Sequence, residues 1–235
     1  MTLQNWKRLP TKWIKGNGID PDSMGLRQFR WSRGNGSSCT AALMLLIVIA
    51  HHADDEGSAR LTYDLFNACA GLSRTKISSG LELLDNAGIV LRAGGQRNAY
   101  KLANFDRTGW GMLPAKKLYD NSGQIRFFRD LKLRNPTELH ALKLYLLFIA
   151  MRDNETNMAQ ISYDKIEAYL GISREHIKSG LSVLAANSLV HVEHIPSREK
   201  GVFNAYRIVH LQSNIHMGTT GRKLFEHLVA EAEPA

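Results

Sequence analysis

One thirty-residue stretch occurs twice in this chain, a hundred positions apart, and that duplication constrains the fold more than any other feature. Residues 61–90 and 161–190 match without a gap at Tyr63/Tyr163, Asp64/Asp164, Ala68/Ala168, Gly71/Gly171, Ser73/Ser173 and Arg74/Arg174. The match continues at Ile77/Ile177, Ser79/Ser179, Gly80/Gly180, Leu81/Leu181, Leu84/Leu184 and Val90/Val190. Twelve identities in thirty positions are not coincidence. With small gaps the likeness spreads both ways. "QFRW" at 28–31 answers "QIRF" at 124–127, and "LPTK" at 9–12 answers "LPAK" at 113–116. The apolar runs 40–51 and 139–151 both pass through "IA", at 49–50 and 149–150, and "RNAYKL" at 97–102 answers "FNAYRI" at 203–208. The unit is used twice, over 1–108 and 109–212, and leaves 213–235 as a tail. A repeat this long is a duplicated domain rather than a turn of a solenoid.

Each unit reads as the same order of elements. "LRQFRWS" at 26–32 sets apolar Leu26, Phe29 and Trp31 among polar neighbours and predicts a short strand, though the alternation is imperfect. A long helix follows, apolar on nearly every side. In the first unit it is "AALMLLIVIA" at 41–50; in the second, Leu139, Leu142, Leu146 and Ile149 are widened by Leu144, Tyr145, Leu147 and Phe148. A helix apolar all round needs cover all round. The economical arrangement packs each long helix on its own unit and on the other copy, as an intramolecular pseudo-dimer; a single thick core is the alternative.

The polar stretches "HHADDEGSA" and "MRDNETNMA" end these helices. Thr62 and Ser162 are placed to cap a second helix, and Gly71 and Gly171 to close it in a left-handed turn. Ser73 and Ser173 then cap a third helix, whose Ile77, Leu81 and Leu84 share one face. Gly80 and Gly180 border that face. Glycine costs about 1 kcal/mol in a helix interior, so its presence in both copies predicts close approach of another helix. Residues 88–102 read as strand, Gly-Gly turn and strand, and 189–209 as the same hairpin with a longer tip.

Three helices, a hairpin and the pattern "G-[LI]-S-R-x-x-I-x-S-G-L" resemble the winged helix-turn-helix domains of bacterial DNA-binding proteins, over residues 38–102 and 136–209. The resemblance implies a mainly α fold with small β-hairpins (α+β), in two tandem winged helices. It also implies that each third helix enters the major groove of double-stranded DNA, its N-terminal residues on base edges. The residues it singles out are Arg74, Thr75, Lys76, Ser78 and Ser79, with Arg174, His176, Lys178 and Ser179 in the second unit. Arg97, Arg198 and Lys200, at the hairpin tips, would meet backbone or minor groove. Arg and Lys suit guanine edges and phosphates, while Ser and Thr both donate and accept. Glu175 repels phosphate and makes the second head the weaker candidate. Two heads in one chain can contact half-sites a helical turn apart, ~34 Å, and because they differ at 75, 76 and 78 the site need not be palindromic.

Charge points the same way. The chain carries a net charge of +8 and 44% apolar residues, the balance of a globular protein with polyanionic partners. Residues 1–105 hold 13 basic against 8 acidic side chains, the remainder 17 against 14. Cys39 and Cys69 are too few for a disulfide framework and lack zinc-ligand spacing, which points to a reducing cytoplasm and, for a DNA binder, the nucleoid. The first fifteen residues lack the apolar core of a signal peptide, and the longest apolar run is half what a bilayer crossing needs, so no membrane partner is expected. "WKRLPTKWIK" at 6–15 interleaves Trp6 and Trp13 with basic residues, yet its "LPTK" recurs, which favours packing over a nucleic-acid arm. His51 and His52 point about 100° apart on a helix and read as a solvated helix end rather than a metal pair.

No phosphate loop, nucleophile elbow or metalloprotease motif is present, so neither an enzyme nor a cofactor is expected. The tail "TTGRKLFEHLVAEAEPA" at 219–235 reads as an amphipathic helix that seals the second unit or serves as a self-association or partner handle. The expected function is sequence-specific transcription regulation. Two alternatives stand beside it. Replication initiators of plasmids and mobile elements also carry two winged helices in one chain, and "ALKLYLLFIAMRDN" at 141–154 is similar to their long helix. Tandem winged-helix subunits of chromosome-condensing complexes instead grip a partner protein.

Overall fold

The structure, a computed structural model, describes residues 3–15, 24–92, 98–106, 108–197 and 201–211. Its first half contains β1 (Trp6–Pro10), α1 (Lys12–Lys15), α2 (Gly36–His52), β2 (Ser58–Arg60), α3 (Tyr63–Ala70), α4 (Arg74–Asn86), β3 (Val90–Arg92) and β4 (Ala99–Leu102). The second contains β5 (Trp110–Pro114), α5 (Arg126–Asp130), α6 (Pro136–Met151), β6 (Met158–Gln160), α7 (Tyr163–Leu170), α8 (Arg174–Ala186), β7 (Val190–Ser197) and β8 (Gly201–Ile208). The fold is mixed α+β. From the long helix onward each half runs α-β-α-α-β-β and closes in a three-stranded antiparallel sheet, ordered β2-β4-β3 and β6-β8-β7. Among the described residues no helix is long and apolar enough to cross a membrane.

Local chemistry sets the helix ends as the residue types require. Thr62 Oγ1 accepts from Leu65 N and Ser162 Oγ from Lys165 N, each satisfying an otherwise orphan first-turn amide. Gly71 and Gly171 close α3 and α7 at φ 67° and 64°. Ser73 accepts from Lys76 N at 3.4 Å; Ser173 holds the same place, but its hydroxyl meets His176 Nδ1 at 3.0 Å instead. The two interior glycines do bring helices close. A Cβ on Gly80 would lie 2.7 Å from Leu45 Cδ1 and 3.0 Å from Ala42 N, and one on Gly180 would lie 2.6 Å from Leu144 Cδ1 and 3.2 Å from Ala141 N.

Those contacts also correct the alignment of the long helices. They equate Ala42 with Ala141 and Leu45 with Leu144, so the two "IA" pairs do not occupy equivalent places. The following turns absorb the one-residue difference: Asp54 N donates to Ser58 O, whereas Asp153 N donates to Met158 O across one residue more.

Three further expectations change. The strand expected at 26–32 is a 3-10 turn at Gly25–Gln28 and irregular chain, because Leu26 and Phe29 are spaced for a turn and both point inward. Conversely, β2 and β6 lie in stretches that read as polar helix ends. They complete each sheet through pairs such as Ala59↔Tyr100 and Ala159↔Tyr206, and a three-residue strand is too short to show period two. Finally, His51 is not a solvated helix end but fully buried. Its Nε2 lies 2.9 Å from Pro114 O and its Nδ1 2.9 Å from Tyr119 Oη. A carbonyl only accepts, so Nε2–H donates to Pro114 and Nδ1 accepts from the tyrosine hydroxyl. Burial pushes the His51 pKa down to about 3, which keeps the ring neutral.

The two long helices form the centre. Every residue from Ser38 to His51 and from Leu139 to Ala150 is buried. α2 packs on α6, α4 on α2 and α8 on α6, and one apolar cluster runs through both halves. The outer segments interlock as well. β1 pairs antiparallel with β5, with Trp6 opposite Pro114, Arg8 opposite Met112 and Pro10 opposite Trp110. Leu9 and Leu113 are fully buried, so the shared "LP" is packing, as the recurrence predicts. The turn at Gly25–Gln28 lies against α7 of the other half, and Ile125 N donates to Cys69 O at the end of α3.

Candidate nucleic-acid interface

α4 and α8 bury matching faces, Ile77, Gly80, Leu81 and Leu84 on one and Ile177, Gly180, Leu181 and Leu184 on the other. The candidate readers fall on the opposite faces. Arg74, Thr75 and Ser78 are exposed, as are Arg174, His176 and Lys178; Lys76, Ser79 and Ser179 are half-buried at the margins. The first two turns of each helix therefore gather them. Arg97, Arg198 and Lys200 lie outside the described residues, as does the tail at 213–235.

Neither arginine is free. Arg74 Nη2 lies 2.9 Å from Asp64 Oδ1, and Arg174 pairs with Asp164 and, at 3.7 Å, with Glu167. These pairs brace each helix on the one before it, but they are solvent-exposed and hence weak, so a phosphate can compete for the guanidinium. The Ser79 and Ser179 hydroxyls donate to their own helices, at Lys76 O and Glu175 O, which leaves their oxygens as acceptors toward solvent.

The two heads differ electrostatically. At the first, Lys76 Nζ donates to Ser37 Oγ at 2.6 Å and reaches Ser38 Oγ at 3.5 Å, both in the first turn of α2. No carboxylate among the described residues pairs with it, and the first turns of α2 and α4 hold no acid. An ammonium at the positive end of a helix is poorly compensated, and an anion placed there would satisfy both. The second head has acids at the matching places, Glu138 in the first turn of α6 and Glu175 in that of α8. His176 replaces Lys76 and packs its ring against His140, 4.8 Å between centroids. Burial, followed by the positive potential of His176 and Lys143, pushes the His140 pKa down to about 4.

Part of that deficit is made good from the other half of the chain. Exposed Arg27 lies beside Gly171, where an added Cβ would be 3.6 Å from Arg27 Nε, at the turn leading into α8. At the equivalent turn of the first head, Gln124 Nε2 stands 2.9 Å from where a Gly71 Cβ would be. Behind the second head, Lys143 Nζ donates to Phe29 O at 3.0 Å and to Leu170 O at 2.6 Å. Burial pushes the pKa of this lysine down to about 8. Sequence reasoning missed both cations. A lysine inside an apolar run was a visible signal for Lys143; nothing local marks Arg27, whose place beside Gly171 comes from the packing of the two halves.

Comparison with protein-family models, with curated proteins and with solved structures found no match to the chain.

Proposed function

We propose that this chain binds double-stranded DNA through two winged helix-turn-helix heads, α3–α4 with the β3–β4 hairpin and α7–α8 with the β7–β8 hairpin, and regulates transcription on the bacterial nucleoid. The observation that carries this is the first turn of α4. There the uncompensated Lys76 stands at the positive end of α2, flanked by exposed Arg74, Thr75 and Ser78 on an acid-free helix start. Such a surface selects anions and offers the groups that read base edges. The repeated α-β-α-α-β-β order and the net charge of +8 support it. Binding rather than catalysis is the assigned role, with no cofactor or metal.

The test is fluorescence anisotropy of a labelled mixed-sequence duplex across a potassium chloride series. Log affinity is expected to fall linearly with log salt, and Lys76→Ala to make the slope shallower by about one. Absence of binding at low salt, or a slope near zero, refutes the proposal. It would favour the second reading, a scaffold that grips a protein partner. One observation favours that reading: the same Asp–Arg brace in both halves is what a purely structural junction would keep. A replication initiator of a mobile element would use the same heads on a different arrangement of sites.

A further inference from the structure

Tandem heads can be joined in two ways. Translation along the DNA makes them read direct repeats, whereas a twofold rotation makes them read inverted ones. The contacts between the two halves distinguish these. Trp6 and Trp110 are equivalent, each three residues before a shared "LP", and so are Arg8 and Met112. In the β1–β5 ribbon Arg8 pairs with Met112, its own equivalent, and Trp6↔Pro114 is mirrored by Pro10↔Trp110. Beyond the ribbon, Thr11 N donates to Gly109 O at 2.8 Å, and the equivalent Ala115 N donates to Asn5 O at 2.9 Å. The two equivalent indoles stack face to face, 5.6 Å apart and 5° from parallel.

The same reciprocity holds far from the ribbon. Residues 25–29 of the first half dock on the end of α7, and the matching 123–125 of the second half dock on the end of α3. Region i of one copy meets region j of the other, and j meets i in return, which is the signature of a twofold and excludes translation. α2 and α6 meet at this axis, with α4 and α8 outside them. Three helix spacings of roughly 8–10 Å place α4 and α8 at most about 30 Å apart at mid-axis. Each spans about 20 Å, so their first turns can reach positions a DNA helical turn apart.

Resting on the DNA-binding reading above, we infer that the target is an asymmetric inverted repeat and that one chain covers all of it. The inversion follows from the twofold, since a duplex backbone presents the same geometry to both heads only about its own dyad. The asymmetry follows from the outer faces. At equivalent positions the heads carry Thr75 and Glu175, Lys76 and His176, Ser78 and Lys178. Arg27 and Gln124 extend the difference to the flanking turns.

The experiment is selection of full-length protein on a random-sequence duplex library, with sequencing of the bound pool and mass photometry of chains per selected duplex. Expected are two half-motifs in inverted orientation, unequal at inner positions and about one helical turn apart, with one chain per duplex. A triple variant, Thr75→Glu, Lys76→His and Ser78→Lys, makes residues 74–80 and 174–180 of the two helices identical and should enrich a more symmetric inverted repeat. Direct repeats, a single half-motif, or two chains per site overturn this inference while leaving DNA binding intact. Retention of duplexes with no enriched motif overturns sequence reading, and the inference with it. No retained duplex at all overturns the DNA-binding proposal itself.

Discussion

Replacing Gly80 by alanine sets two opposed effects against each other. In a helix interior, alanine is more favourable than glycine by about 1 kcal/mol. Against that, the new Cβ would stand 3.0 Å from Ala42 N and 2.7 Å from Leu45 Cδ1. The leucine methyl can rotate away, but the amide belongs to the backbone of α2. To restore an ordinary contact near ~3.5 Å, α2 and α4 must part by about half an ångström. α2 cannot simply retreat, because α6 packs on it and every residue from Ser38 to His51 is buried. Overpacking of this kind costs roughly 1–3 kcal/mol, so the net expectation is a loss of about 1 kcal/mol. Urea unfolding followed by far-UV circular dichroism should show a midpoint about 0.5 M lower. Gly180→Ala should lose less, since its backbone neighbour, Ala141 N, stands 3.2 Å away. A midpoint raised by Gly80→Ala would mean that propensity wins, and that α4 does not sit this close on α2.

The buried titrating groups make further expectations. The folded pKa of His51 is about 3 against an ordinary 6.5, so below pH 6.5 the unfolded chain takes up a proton that the folded one refuses. Its contribution is complete above pH 6.5 and lost as pH falls toward 3, about 5 kcal/mol in all and roughly 2 kcal/mol by pH 5. Chemical denaturation at pH 7.5 and pH 5 should therefore show a smaller acid loss for His51→Gln, which keeps a donor and an acceptor but does not titrate; equal losses would refute the burial argument. Lys143 works in the opposite range. Its folded pKa is about 8 against an ordinary 10.5, so the unfolded state holds more protons between these values and stability rises with pH across that window. The gain is up to about 3 kcal/mol, visible as a rise in urea midpoint from pH 8 to 10 that Lys143→Met lacks; parallel profiles for the two proteins would contradict it. For the second head, Arg27→Ala is expected to shallow the salt dependence of duplex binding by close to one unit, and an unchanged slope would remove Arg27 from the interface.

Much of each half was legible in the residues because its signals are local. Thr62, Ser162, Gly71 and Gly171 act on amides and carbonyls within four residues, and Gly80 and Gly180 advertise a close contact by their cost alone. The exposed faces carrying Arg74 and Arg174 followed from the buried stripe on the same helix. Less local features were misread or invisible. β2 and β6 are too short to carry a period, and His51 looked solvated because what buries it, Pro114 and Tyr119, arrives from more than sixty residues away. The ion pairs that occupy Arg74 and Arg174 depend on the angle between two helices, which no spacing reveals.

By itself, then, the sequence determined that one unit is used twice, that each unit holds three helices and a hairpin, and which face of each third helix points outward. Those depend on periodicity, capping and backbone freedom, which act over a few residues. How the copies face each other was decided only in three dimensions. A repeat is equally compatible with translation and with rotation, because both leave every local contact unchanged. The choice lies in contacts between residues a hundred positions apart: Arg8 opposite Met112, Trp6 on Trp110, Phe29 under Lys143. Burying two helices that are apolar on every side requires such contacts, and their reciprocal form sets the orientation of the two heads.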